Sequence, residues 1–228
     1  MRGARAGLLT VGACLIAIGC CAPSAWAAPY GTLTAQEYTL VGSAQSALKQ
    51  ALRGNRPNWS AAQTACLSVG SSTTLLARQG QSCVGQVTLD DTLASFPAEE
   101  RRCPKAETRK IPCIAPLYRA LAGAAAGAYA SDVKARQAAG ERGFTGTCLT
   151  ALSSTPTQLR NEHKLATSTN KLAADMTSLV NVLAGQTPPS KLDQTHIDAD
   201  VNVFQHYVNL VLGASTPDEL TVCPHQSA

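Results

Sequence analysis

Apolar residues between Thr155 and Gly185 recur at helical spacing over the longest uninterrupted stretch of the chain. Leu165, Leu172 and Leu179 stand seven apart, with Leu152, Leu159, Ala166, Ala173 and Val180 in a row beside them. Thr169, Met176 and Leu183 complete a stripe at alternating spacings of four and three, one face of an α-helix. Thr155 can cap this helix, Pro156 suits its first position, and Gln158 completes a capping box. Gly185 can adopt the left-handed cap, and Pro188-Pro189 forbids continuation. At 1.5 Å per residue the helix spans roughly 43 Å. Such a helix is a spine for others to pack against.

The same reading predicts four more helices. Thr34-Ala35-Gln36-Glu37 is a capping box opening a helix to Arg53, with Val41, Ala44, Leu48 and Leu52 inward and Gly54 as cap. After the short Gly54–Pro57 turn, Asn58 caps a second helix that returns antiparallel and ends at Gly80. Pro116 opens a third, running to about Ala139 on a stripe of Leu117, Leu121, Ala125, Tyr129, Val133 and Arg136. Its Gly123, Gly127 and Ser131 form a small-residue ridge, expected to let a neighbouring helix approach closely. Ser190 opens the last, which ends at Gly213. Its two apolar rows (Ile197, Val201, Phe204, Val208, Val211; Val203, Tyr207, Leu210) predict burial between two partners.

Between them, residues 81–113 carry Pro97, Pro104 and Pro112 and half of the later cysteines, and are expected to be irregular apart from a short helix over Thr88–Phe96. No strand alternation stands out. The fold class is therefore all-α: an up-and-down bundle of about five main helices.

The beginning of the chain changes the picture of where this bundle works. Residues 1–27 have the form of a signal peptide: Arg2 and Arg5, an apolar core from Leu8 to Ile18, and a cleavage site at Ala25-Trp26-Ala27. Cleavage after Ala27 leaves one domain, 28–228, secreted or otherwise extracytoplasmic, with no second apolar run of spanning length. A rival reading places a lipid anchor on Cys20, since Ala17-Ile18-Gly19-Cys20 loosely resembles a lipobox. Parity favours the first, because it leaves six cysteines: Cys66, Cys83, Cys103, Cys113, Cys148 and Cys223. Six cysteines in an exported chain imply three disulfides, in any of about 15 pairings. A Cys103–Cys113 bridge would close a small local ring, and Cys223 would pin the tail.

Charge excludes little. The net charge of +4 falls to +2 once Arg2 and Arg5 are removed, and no basic cluster suggests nucleic acid. The Ala-rich, aromatic-poor composition is of the kind that GC-rich bacterial genomes encode.

Candidate chemistry is sparse. His196 and Asp200, four apart on one helical face, could place two ligands on a metal, but no third is evident. Met176, with a late histidine, is the only suggestion of haem ligation, and no C-x-x-C-H accompanies it. No Glu-x-x-His, G-x-S-x-G, C-x-x-C or phosphate loop occurs. Paired carboxylates occur only at Asp90-Asp91 and Glu99-Glu100. Trp59, the one tryptophan beyond residue 27, is the candidate contact residue if exposed and an end plug if buried. No cofactor and no catalytic residue is thus indicated. The chain reads as a non-catalytic binding or interaction protein of the bacterial cell envelope, its ligand open. A haem-, metal- or small-apolar-ligand-binding bundle is the alternative, and an enzyme of unknown type the third.

Overall fold

The computed structural model describes residues 30–191, 193–212 and 223–226. The segment expected to be a signal peptide, with Cys20, and the expected helix end at Gly213 lie outside the described residues. The order is β1 (Leu33–Thr34), α1 (Ala35–Ala51), α2 (Trp59–Leu67), α3 (Thr74–Arg102), α4 (Glu107–Glu141), α5 (Gly146–Ala151), α6 (Pro156–Leu183), a 3₁₀ turn (Pro189–Lys191), α7 (Gln194–Leu212) and β2 (His225–Gln226). The protein is an all-α bundle. Helix α4 packs between α3 and α6 at its centre, α2 packs on α3 and α1 on α2, and α7 lies on α6.

Both capping boxes form. Thr34 Oγ1 accepts from Glu37 N and Thr155 Oγ1 from Gln158 N, each returned by the third residue's side chain. Gly185, at φ 71°, ends the spine in the left-handed region. Glu37 has a second duty: its buried Oε2 lies 3.1 Å from Arg142 Nη2, tying α1 to the end of α4.

Residues 81–113 are not irregular. Most of that span belongs to α3 and the start of α4, joined by the short turn 103–106. Thr88–Phe96 is the middle of α3, and Asp90-Asp91 stand inside it rather than at a start. Pro97, Pro112 and Pro116 all sit within helices on exposed faces, where water can replace the backbone bond that proline removes. The Cys103–Cys113 bridge clamps the turn between the two helices. The second predicted helix also divides: α2 ends near Leu67, Gly70 turns the chain at φ 77°, and Thr73 caps α3.

Gly80 is consequently not a cap but a contact. A Cβ there would stand 3.0 Å from Val69 Cγ2 and 3.2 Å from the Cys66 carbonyl oxygen. Gly85 has the same role against α4, where a Cβ would meet Ala128 Cα at 3.1 Å. The predicted ridge at Gly123 and Gly127 does the opposite: both are exposed, and an added Cβ would touch nothing. The buried row of α4 is instead Leu121, Ala125, Ala128, Asp132, Ala135 and Ala139, while Val133 of the expected stripe is exposed. By length and composition α4 could cross a membrane, with a mean hydropathy of 1.2 over its most apolar 18 residues. Here it packs between α3 and α6 and carries a fully buried aspartate.

Helix α7 starts at Gln194, capped by Asp193, whose Oδ1 accepts from His196 N, rather than at Ser190. Only Ile197 and Asp200 are buried on it. Its second row is open at Val203 and Leu210, which are exposed, while Phe204, Tyr207, Val208 and Val211 pack against the cluster that α3, α4 and α6 share. The six cysteines pair as Cys66–Cys83, Cys103–Cys113 and Cys148–Cys223. Cys223 pins the tail to α5, and the parallel β1–β2 ladder adds a second tie. Three disulfides fit an oxidising, extracytoplasmic compartment.

Candidate functional site

The central helices do not close completely against α1 and α2. Between them lies a cleft of about 800 Å³, within the range of small-molecule sites. Its apolar wall comes from five elements. Helix α1 presents Leu48 and Leu52, α2 presents Trp59, and α3 presents Val87 and Leu93. Leu210 and Val211 of α7 and Ala151 of α5 complete it. Leu48, Leu52 and Trp59 pack against Ala62, Cys66 and Val87 and are half-buried.

The floor is polar and contains two carboxyl groups. Asp132 of α4 is fully buried and accepts from three donors: Ser82 Oγ, Ser154 Oγ, and Gln86 Nε2 at 2.8 Å. The same Gln86 nitrogen donates to Glu162 Oε1 of α6 at 2.8 Å, so its two hydrogens bridge the carboxyls. Glu162 is itself buried, and its Oε2 receives no hydrogen bond. Burial, reinforced by the Asp132 charge and a hydrogen bond to Asp132, raises its pKa from 4.5 to about 8; Gln86 opposes this only in part. Glu162 therefore holds a proton at neutral pH beside a carboxylate already supplied with donors. Asp90, farther along the α3 wall, is pushed up to about 6 by burial.

No protein-family model, curated protein or solved structure matches the chain. Functional inference rests on the site itself.

The residues singled out from sequence divide among three places. Trp59 lines the cleft. His196 and Asp200 meet as their spacing implied, Nε2 to Oδ2 at 3.4 Å, and Asp175 of α6 supplies the third potential ligand that sequence left open. That cluster already has a cation, because Lys171 Nζ lies 3.7 Å from Asp200 Oδ1. The Asp175 carboxyl is raised by burial and by the Asp200 charge, with His196 and Lys171 acting against this. Met176 packs in the core with Ala115 and Ile197 and does not line the cleft. The cysteines are consumed in disulfides.

Asp132, Glu162, Ser82 and Gln86 escaped the sequence reading. A signal existed. Asp132 falls on the row Leu121, Ala125, Ala128, Ala135, Ala139, and Glu162 on the row Leu165, Ala166, Thr169. A carboxylate at helical spacing within an apolar stripe must be buried with partners. No histidine lines the cleft among the described residues, and Ser82 and Ser154 spend their protons on Asp132. The arrangement can hold a molecule and hydrogen-bond one end of it.

Proposed function

We propose that the protein is an exported, non-catalytic helical bundle that binds one small, largely apolar molecule between its helices. The observation that carries this reading is the 800 Å³ cleft, apolar along its walls and provided with an enclosed carboxyl pair at its floor. Small-molecule sites have this division: hydrophobic and aromatic walls give affinity, and a few polar groups fix orientation. The alternative of haem or metal has less support, since Met176 and the four histidines do not converge on the cleft. Export is supported by the signal-like segment 1–27 and by the three disulfides, and the envelope of a bacterial cell remains the setting that suits both.

Nile red, a neutral dye that brightens in apolar surroundings, tests the reading directly. The protein should bind it saturably at one site. Ala151→Trp and Ala94→Trp each place an indole on the cleft lining from partly or fully exposed positions. Each should weaken dye binding at least about tenfold, the loss of about 1.4 kcal/mol of contact, with the melting temperature little changed. Dye fluorescence indifferent to both substitutions would place the apolar site elsewhere.

A further inference from the structure

Among the described residues, four charged side chains line the cleft: Asp90, Asp132 and Glu162, with Lys49 on its exposed rim. Asp132 and Glu162 are 0% and 5% exposed. Neither makes an ion pair with any described cation. Arg136, one turn along α4 from Asp132, donates instead to the Ser154 carbonyl at 2.7 Å. Enclosed negative charge is tolerated only when donors or a counter-charge compensate it. Asp132 has its donors. Glu162 Oε2 is the one enclosed carboxyl oxygen of the pair that receives no hydrogen bond, and with one proton held on Glu162 the pair still carries one negative charge that no described cation answers.

On the reading of the cleft as a small-molecule site, we propose that its ligand is an organic cation, an ammonium head on an apolar body. The head sits against Glu162 and Asp132, and the body runs along Leu48, Trp59 and Val87. An ammonium carries N–H donors and no acceptor, the complement of a site whose open group is a carboxyl oxygen. Its charge also answers that of Asp132 in a setting where water is scarce and electrostatic interactions are strong. A hydroxyl head could supply one donor but would leave the negative charge unpaired. A carboxylate head would face like charge and is excluded.

Three ligands of equal chain length separate these cases: n-octylammonium, 1-octanol and octanoate, competing for bound Nile red at neutral pH and physiological salt. The expected order places the ammonium roughly tenfold or more ahead of the alcohol, the margin of one charge-assisted hydrogen bond, with octanoate last. Asp132→Asn should bring the ammonium down to the level of the alcohol while leaving the alcohol unmoved. Because that variant disturbs a buried network, the order among the three ligands on the unaltered protein decides by itself. Octanol matching or beating octylammonium would overturn the cation proposal and leave the cleft reading standing. Failure of Nile red to bind at all would remove both.

Discussion

Asp132→Ala should lower the unfolding free energy by about 3 kcal/mol. The figure follows from what the substitution leaves behind rather than from the charge removed. Ser82, Gln86 and Ser154 all donate to this fully buried carboxylate. An enclosed donor without an acceptor costs about 1–3 kcal/mol. The two hydroxyls can rotate towards nearby carbonyls and recover part of that. Gln86 cannot turn away without abandoning Glu162 Oε1. Ser82→Ala, which removes one donor and leaves no orphan, should cost only about 1 kcal/mol. Urea unfolding of the two variants beside the parent measures the contrast. Equal and small losses would mean that the Asp132 network is not the polar core described above.

Glu162 should make the protein less stable as the pH rises, the reverse of the usual behaviour of a paired carboxylate. Its pKa is about 8 in the folded chain against an ordinary 4.5. The folded state thus holds the proton more tightly than the unfolded one. The stabilising contribution is complete below about pH 4.5, declines as pH climbs, and is gone above about pH 8. A shift of this size corresponds to something on the order of 3–5 kcal/mol. Asp90, raised from 3.8 to about 6, adds a loss of the same sign at lower pH, between about 4 and 6. The clean window for Glu162 is therefore pH 6 to 8. Glu162→Gln keeps the acceptor for Gln86 and a donor towards Asp132 but cannot ionise. Its melting temperature should be nearly flat across that window while the parent's falls, and at pH 8 the variant should be the more stable. Parallel pH profiles would assign the dependence to another group.

The contrast between the two capping boxes and the middle of the chain explains how far sequence could reach. Thr34–Glu37 and Thr155–Gln158 are local devices whose hydrogen bonds close within one turn, so their residues predict them outright. Gly80 and the prolines at 97, 112 and 116 are decided by neighbours distant in sequence. A glycine that reads as a stop is needed for the approach of α2, and exposed prolines are carried by helices that tertiary packing holds. The ridge at Gly123 and Gly127 failed for the same reason, since nothing local says which face of α4 will be covered.

The candidate site was legible only in part. Trp59 and the His196–Asp200 pair were visible as residue types at suggestive positions. The carboxyl pair needed two buried rows from different helices to be set side by side, and the rows used for α4 were rotated by one position. That rotation moved Asp132 from the core to the surface of the sequence reading. Asp175, likewise, reaches His196 and Asp200 only because α7 folds back on α6.

Native mass spectrometry of the protein purified from its own host, before and after denaturation, tests the cleft as a binding site most directly. The account predicts one adduct per chain, with a mass of a few hundred daltons to suit a cleft of about 800 Å³. It should leave on denaturation and be absent from Ala151→Trp produced in the same way. A chain that carries nothing, or an adduct that Ala151→Trp retains in full, would contradict it.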